Sequence, residues 1–250
     1  MIHKYILFIS TIVILLMFVL ISKRKKYIEK YTKVDKKDIM DNYNKAINFH
    51  FSLYSYNGPP HYSHELIKST SYETTEQALL LYYLEEADNV IELGANIGTS
   101  SILISKILKN SEKQHVAVEP NIDILKVLEK NKILNKSKFN IIPGIVSPKG
   151  DFYLEGDGWG GHIVKYKTDR KVKTFDFYEL DAEYNFNVLF ADCEGSLKQL
   201  LTDYPNIHKN LRLVIYERDG VCNYSVVDSY FHNNKFKNVY DGGHHCVFIK

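Results

Sequence analysis

The feature that most constrains the fold of this chain is an apolar run followed by a turn with two glycines. Residues 89–99 are Asn-Val-Ile-Glu-Leu-Gly-Ala-Asn-Ile-Gly-Thr. Val90 to Leu93 predicts a short buried strand, and Ile97 to Leu108 predicts a helix directly after the turn. Because Gly94 and Gly98 have no side chains, a ligand can approach the backbone of the turn closely.

A second apolar run, from His115 to Val118, is followed by an acid, Glu119. Glu119 lies 21 residues after Gly98. In nucleotide-binding folds an acidic side chain at about this offset ends the second strand and binds ribose hydroxyls. Together, the turn and Glu119 predict a ligand that contains adenosine.

The residues of the turn distinguish between two such ligands. Dinucleotide-binding proteins have Gly-x-Gly-x-x-Gly, in which the middle glycine lets the backbone approach a pyrophosphate. Here Asn96 occupies that position, and a carboxylate, Glu92, precedes the first glycine by two residues. S-adenosylmethionine has no phosphate and carries an amino acid and a sulfonium. The turn therefore favours S-adenosylmethionine, and an NAD-dependent oxidoreductase is the less favoured alternative.

The composition is that of a folded domain. Of the 250 residues, 45% are hydrophobic and 25% are charged, and the formal net charge is only +2. Lysine and arginine are scattered apart from one cluster, so no basic face is expected and nucleic acid is not an expected partner. The three cysteines are an odd number without a C-x-x-C spacing, which predicts neither a disulfide framework nor a zinc site.

The N-terminus predicts a membrane anchor. Tyr5 to Ile21 has no charged residue and is just long enough to cross a bilayer core as a helix. The basic run Lys23 to Lys26 follows it without the small residues of a signal-peptide cleavage site, and the positive-inside rule places the rest of the chain on the cytoplasmic side. We therefore predict a single-pass membrane protein with an anchor at 1–26, a stem at 27–72 and a catalytic domain at 73–250. Two glycosylation sequons, at Asn135 and Asn223, would matter only for a luminal domain.

From Val90 onward, strand-like runs alternate with helical patterns, which predicts parallel strands covered by helices. The predicted fold class is α/β, a seven-strand Rossmann-like sheet with helices on both faces. Thr74 to Glu86 is predicted as a preceding helix with Thr74 or Thr75 as its N-cap. The other predicted elements are the helices Ile122 to Ile133 and Val226 to His232 and the strands Phe139 to Val146, Asp151 to Leu154, Gly156 to His162, Val172 to Phe175, Val188 to Ala191, Leu213 to Tyr216, Phe236 to Tyr240 and Cys246 to Ile249.

Four of the predicted strands end at or beside an acid: Glu92, Glu119, Asp192 and Glu217. Open α/β sheets bind their ligands at the carboxyl ends of the strands, so we expect these side chains to line one crevice. Trp159, in a glycine-rich loop, is either a stacking platform for a ligand beside that crevice or a plug that fixes the loop to the core.

Methylation of a hydroxyl needs a base within hydrogen-bond reach or a metal ion. The candidates that this chain offers for acid-base chemistry are Asp192, Glu194, Glu217, Asp219, His162, His244 and His245. Asp192, Glu217 and Asp219 could also hold a hard divalent ion through oxygen ligands. Their spacing does not require a metal.

These residues resemble the FkbM-type methyltransferases, which are class I enzymes that use S-adenosylmethionine, largely for O-methylation of natural products and glycans. The resemblance covers roughly Thr75 to Glu217. It implies a Rossmann-like domain that contacts the donor through Glu92, Gly94, Asn96, Gly98, Glu119 and Asp192. The motifs that carry it are residues 90–98, 118–121, 134–135, 172–176 and 190–195.

The sequence departs from this family at several positions. Glu92 is more usually aspartate, Phe190 and Ala191 replace Ile-Lys, and Ser196 with Leu197 replaces an Ala-Glu pair. The predicted function is that of a membrane-anchored methyltransferase acting on a hydroxyl of a glycan, glycolipid or related small molecule. Because of the departures, a non-catalytic membrane-anchored binding protein on the same fold is the alternative.

Overall fold

The structure is a computed structural model that describes residues 73–156 and 161–250, together with single helical residues at 17, 19, 22, 38, 41 and 42. Two compact units, Met1–Asp35 and Lys36–Lys250, divide the chain. Within the described residues, no helix is both long and apolar enough to cross a bilayer. Nearly all of the predicted anchor, Tyr5 to Ile21, and of the predicted stem, 27–72, lies outside the described residues, as does Trp159.

Strands and helices alternate along the described residues. The strands are β1 Val90–Leu93, β2 His115–Glu119, β3 Asn140–Pro143, β4 Ile145–Val146, β5 Phe152–Glu155, β6 His162–Val164, β7 Lys171–Val172, β8 Thr174–Phe175, β9 Val188–Ala191, β10 Leu213–Glu217, β11 Lys237–Asp241 and β12 His245–Ile249. The α-helices are α1 Thr74–Tyr83, α2 Thr99–Ile107, α3 Ser111–Gln114, α4 Ile122–Leu134, α5 Phe177–Tyr184, α6 Ser196–Asp203 and α7 Ser225–Asn233.

Seven of these strands form one sheet in the order β11-β12-β10-β9-β1-β2-β3. β12 runs antiparallel to β10 and β11, whereas the other neighbouring strands are parallel. The predicted seven-strand Rossmann-like α/β sheet is confirmed, and the reversed β12 makes it a mixed sheet. β5, β6 and β7 form a separate three-stranded sheet, and β4 pairs with β8.

Helices cover both faces of the large sheet, as predicted. Neighbouring residues of a strand point to opposite faces. Val116 of β2 therefore packs into an apolar cluster with Phe231 of α7. The next residue, Ala117, packs on the other face with Leu128 of α4. Burial of one such large side chain stabilises the fold by about 1.5–3 kcal/mol, so the two clusters hold the sheet between its helix layers.

The strand order creates a ligand-binding position beside β1. From β1 the chain continues to β2 and β3 on one side, and it later returns to β9 and β10 on the other side. Open α/β sheets bind ligands at the carboxyl ends of the strands where the order reverses in this way. Leu93 and Ala191, the last residues of β1 and β9, are partners in register, so the segments after them meet at this point.

Several helix boundaries differ from the prediction. α1 ends at Tyr83 rather than Glu86, and its N-cap is Glu73, in a left-handed conformation, rather than Thr74 or Thr75. α2 begins two residues later than predicted, because the turn after β1 extends through its N-cap glycine. The sequence patterns did not predict α3, α5 and α6.

The predicted strand Phe139 to Val146 is two strands, because Gly144 interrupts it. Gly144 N donates to both Glu119 O and Ile142 O, each at 3.0 Å. β4 then leaves the large sheet and pairs with β8. The predicted strand Val172 to Phe175 is also two short strands, because β7 pairs with β5 whereas β8 pairs with β4.

Candidate functional site

A cavity of about 760 Å³ lies at the carboxyl ends of β1, β2, β9 and β10. Small-molecule sites usually have volumes of about 300–1,000 Å³. The start of α1 and residues of β5 and β6 contribute further parts of its lining. The structure brings eight of the predicted site residues together there: Gly94, Asn96, Glu119, His162, Asp192, Glu194, Glu217 and His245.

Gly94 is required in the turn after β1 both by its backbone angle and by its surroundings. Its φ is +84°, and a Cβ atom at this position would lie 1.6 Å from the carbonyl oxygen of Asp192. Asn96 also has a left-handed φ, of 48°, which asparagine adopts more readily than most residues. Gly98, with φ +92°, is the N-cap of α2, and a Cβ there would lie 2.6 Å from Leu128 Cδ1. Gly98 shapes the turn without lining the cavity.

The backbone N–H groups at the start of this turn already have acceptors within the protein. Gly94 N and Ala95 N both donate to Val118 O at 3.0 Å. Asn96 N donates to Glu119 Oε2 at 2.9 Å. Backbone hydrogen bonds from Gly94 and Ala95 therefore hold the turn against the end of β2. The N–H of Asn96 is not available to a ligand, because it donates to the Glu119 carboxyl group.

Glu119 is the most thoroughly fixed acid of the cavity. Its Oε1 accepts a hydrogen bond of 2.8 Å from Asn121 N, and its Oε2 accepts the bond from Asn96 N. The residue is only 5% exposed. Burial raises the pKa of Glu119 from 4.5 to about 7, although the two backbone hydrogen bonds act in the opposite direction.

The structure does not bring Glu92 to the cavity, contrary to the expectation that all four strand-end acids would line one crevice. Glu92 is the third residue of β1 and is fully buried within the sheet. Its Oε2 lies 2.8 Å from His115 Nε2, which is also fully buried. Side chains within a strand point to its faces rather than to its end. The other three acids, Glu119, Asp192 and Glu217, do line the cavity.

Two acids that the sequence patterns did not identify lie beside Asp192. The carboxylate oxygens of Glu73, Glu76 and Asp192 are all within 4.8 Å of one another. Burial raises the pKa of Glu76, and the nearby charges of Glu73 and Glu217 raise it further. Burial also raises the pKa of Asp192, followed by the charge of Glu76 and a hydrogen bond with Glu217. Acidic groups are thus concentrated at this end of the cavity.

Two other predicted acid-base residues lie on the β6 and α6 sides of the cavity. His162 Nε2 is 3.1 Å from Glu155 Oε2, and both side chains are about half-exposed. Glu194 precedes α6 with a left-handed φ of 48°. Burial and the charge of Asp219 raise the pKa of Glu194, whereas the charge of His162 lowers it. Both His162 and Glu194 line the cavity.

The remaining candidates divide between those inside and outside the cavity. Asp219 does not line it, since its carboxylate accepts hydrogen bonds from Val221 N and Tyr224 Oη instead. His244 is an exposed residue of the turn before β12. His245 does line the cavity. The oxygen set of Asp192, Glu217 and Asp219 that was considered for a metal ion is therefore not assembled.

The positions that depart from the family pattern are ordered parts of the structure. Phe190 and Ala191 are each 1% exposed in β9, so the lysine of the family pattern is replaced by core side chains. Ser196 is the first residue of α6 and lines the cavity.

Comparisons with known proteins place the chain near solved methyltransferase structures at low identity. No family model matches the chain, and no curated protein matches it. The precorrin-6y C5,15-methyltransferase of Geobacter metallireducens is similar over 80% of this chain and 95% of its own, with 12% identity and a TM-score of 0.49. A methyltransferase of Pyrococcus furiosus is similar over 86% of this chain and 97% of its own, with 13% identity and a TM-score of 0.45.

A third similar structure contains a bound ligand. The fibrillarin of Aeropyrum pernix, solved with natively bound S-adenosyl-L-methionine, is similar over 66% of each chain, with 13% identity and a TM-score of 0.38. Because the identities and TM-scores of all three structures are low, the function of this chain is inferred from its own strand order and cavity.

Proposed function

We propose that this chain is an S-adenosylmethionine-dependent methyltransferase that acts on a hydroxyl of a glycan, glycolipid or related small molecule. The observation that carries the proposal is that one cavity contains the glycine turn after β1, Glu119 at the end of β2 and Asp192 directly after β9. Gly94, Asn96 and Glu119 would hold the donor, with Glu119 as the acceptor for its ribose hydroxyls.

The charges around the cavity favour this donor over a dinucleotide. The N–H groups of Gly94, Ala95 and Asn96 already donate to protein oxygens, so they do not form a site for a pyrophosphate. The clustered carboxyl groups beside Asp192 would repel phosphates and attract a sulfonium or an ammonium group. An NAD-dependent oxidoreductase is therefore disfavoured on electrostatic grounds as well as by the sequence of the turn.

When bound, S-adenosylmethionine supplies a methyl group on a positively charged sulfur, which leaves as a neutral thioether. The chain must orient the acceptor and receive its proton, because an alcohol is a poor nucleophile at neutral pH. We assign proton acceptance to His162, since the Glu155 carboxylate 3.1 Å away orients its imidazole. Asp192, Glu194 and Glu217 are the alternative bases that line the same cavity.

Apolar residues of the cavity lining support the proposed acceptor class. Phe152 and Leu154 of β5 and Ile163 of β6 give the cavity apolar surface in addition to its polar groups. Such a combination suits the apolar face of a sugar or the alkyl part of a lipid, with a hydroxyl directed at the acids. We further propose that residues 5–21 anchor the chain in a bilayer with the domain on the cytoplasmic side, and that the chain is of the FkbM type. The anchor and the family type are inferred from the sequence alone.

The proposal is tested by transfer of a labelled methyl group. Purified full-length chain would be incubated with methyl-labelled S-adenosylmethionine and separate lipid, glycan and protein fractions of the host. We expect label in the glycan or lipid fraction and loss of labelling with His162→Ala. Glu129→Gln, at an exposed position of α4, is the control that should label normally. Label confined to protein would contradict the acceptor class.

A non-catalytic binding protein on the same fold is the second candidate. It is favoured by Phe190 and Ala191, which replace the family's lysine with buried core residues. Such a protein would bind S-adenosylmethionine and transfer no label into any fraction. Binding without transfer of the labelled methyl group would therefore replace the enzyme proposal with this one.

A further inference from the structure

Carboxyl groups from three elements converge at the acidic end of the cavity. Glu73 and Glu76 come from the beginning of α1, and Asp192 follows β9; their carboxylate oxygens all lie within 4.8 Å of one another. Glu217, the last residue of β10, lines the same cavity as Asp192. Ionised carboxyl groups this close repel one another, so their charge is neutralised either by a proton or by a cation.

A second observation indicates that the cluster is built to bind a cation. The Glu76 side chain is only 2% exposed, and its Oε1 has no hydrogen-bond partner within the described part of the chain. The imidazole of His245 faces this oxygen, with its Nε2 at 3.6 Å. Buried carboxylates are normally paired with a cation or bound to a metal. Glu76 Oε1 is a buried carboxylate oxygen without a hydrogen-bond partner among the described residues, and it lies beside two more carboxyl groups. Such an oxygen is suited to be a metal ligand.

We propose that Glu73, Glu76 and Asp192 bind a hard divalent cation, with Glu217 and His245 as further candidate ligands. Two oxygens bound to one ion can be no further apart than twice a metal–oxygen bond, which is about 4.2 Å for Mg²⁺ and about 5 Å for Ca²⁺. The oxygens of the cluster therefore already lie near the separation that a single ion allows. The sequence alone suggested Asp192, Glu217 and Asp219 as ligands. The proposed set differs because α1 supplies Glu73 and Glu76, and Asp219 does not take part.

The site is inferred from the cluster alone and does not depend on the proposed methyl transfer. If that transfer occurs, the ion lies in the same cavity as the donor site and can bind the acceptor hydroxyl. A bound divalent ion lowers the pKa of a coordinated hydroxyl and so makes it a better nucleophile. His162, which lines the same cavity, would then accept the proton that this hydroxyl loses.

The test is direct titration of the ion in the absence of S-adenosylmethionine. Chelator-treated full-length chain would be titrated with MnCl₂ by calorimetry, with MgCl₂ and CaCl₂ as competitors. We expect one saturable site with a dissociation constant on the order of micromolar. Glu76→Gln, which replaces a charged ligand with a neutral one, should weaken binding at least about tenfold. Glu129→Gln, remote on the surface of α4, should leave binding unchanged.

Thermal unfolding of the same proteins separates loss of the site from loss of the fold. Glutamine is close in size to glutamate and carries no charge, so Glu76→Gln should not lower the melting temperature without metal, while the rise on adding MnCl₂ should disappear. The proposal is overturned if no saturable Mn²⁺ binding occurs, or if Glu76→Gln and Asp192→Asn bind Mn²⁺ as well as the unmodified chain does. Stabilisation by S-adenosylmethionine but not by Mn²⁺ would also overturn it and would leave the proposed donor site intact.

Discussion

Replacement of Glu119 by glutamine should change how the stability of the fold depends on pH. Burial raises the pKa of Glu119 from 4.5 to about 7. Between these two pH values the folded chain holds a proton that the unfolded chain has lost. The stabilisation from this group is therefore fully present below pH 4.5 and is lost as the pH rises through 7. The difference of two and a half pKa units corresponds to roughly 3 kcal/mol.

Glutamine does not titrate, so the variant lacks this dependence. It also replaces one of the two oxygens that accept hydrogen bonds from Asn96 N and Asn121 N, which costs about 1–3 kcal/mol at every pH. The free energy of unfolding of Glu119→Gln minus that of the unmodified chain should therefore rise by up to roughly 3 kcal/mol from pH 4.5 to pH 8. The constant hydrogen-bond cost cancels from that change.

The assay is urea unfolding followed by circular dichroism at half-unit pH steps, with full-length chains in the same detergent. Glu129→Gln, whose side chain is exposed on α4, is the matched control and should give a nearly constant difference. A difference for Glu119→Gln that does not vary with pH, or that falls as the pH rises, would refute the inference that burial controls the ionisation of this carboxyl group.

Two further predictions concern the turn and the base. Gly94→Ala should destabilise the fold by several kcal/mol more than Gly243→Ala, as measured by urea unfolding. Both glycines have φ +84°, so the backbone angle alone should cost each alanine variant about 1–2 kcal/mol. Only at Gly94 does the added Cβ also clash, because it would lie 1.6 Å from the carbonyl oxygen of Asp192, whereas nothing lies within 4 Å at Gly243. Equal losses would contradict the close approach of the segment after β9 to the turn. His162→Ala should lower the rate of methyl transfer by about 10²–10⁴-fold without changing donor affinity, and a parallel loss of affinity would assign His162 to binding instead.

The parts of the fold and site that the sequence predicted depend on contacts between neighbouring residues. Val90–Leu93 is an apolar run with glycine directly after it, and the position of Glu119 follows from the length of one helix and one loop. The sequences of α5 and α6 also contain local signals for helices. Asp176 caps α5 by accepting hydrogen bonds from two backbone N–H groups, and the buried leucines of α6 at 197, 200 and 201 have helical spacing.

The acidic cluster could not have been predicted in this way. Glu73 and Glu76 reach Asp192 because α1 packs against β10 and β12, elements more than a hundred residues away along the chain. The prediction that Glu92 belongs to the site was wrong because local sequence does not show the direction of its side chain. Its position beside the turn suggested the cavity, but its place within β1 directs it to His115, and only the paired strands show where that side chain points.

Calorimetric titration of the full-length chain with S-adenosylmethionine tests the central claim most directly. We expect saturable binding in the micromolar range to chelator-treated protein, so that the result does not depend on the proposed metal site. Loss of the Glu119 carboxyl group in Glu119→Ala should weaken binding by about 10–100-fold, as expected for the loss of two hydrogen bonds, while Glu129→Gln should bind normally. No saturable heat with S-adenosylmethionine, or binding of NADH in its place, would contradict the assignment of this cavity to a methyl donor.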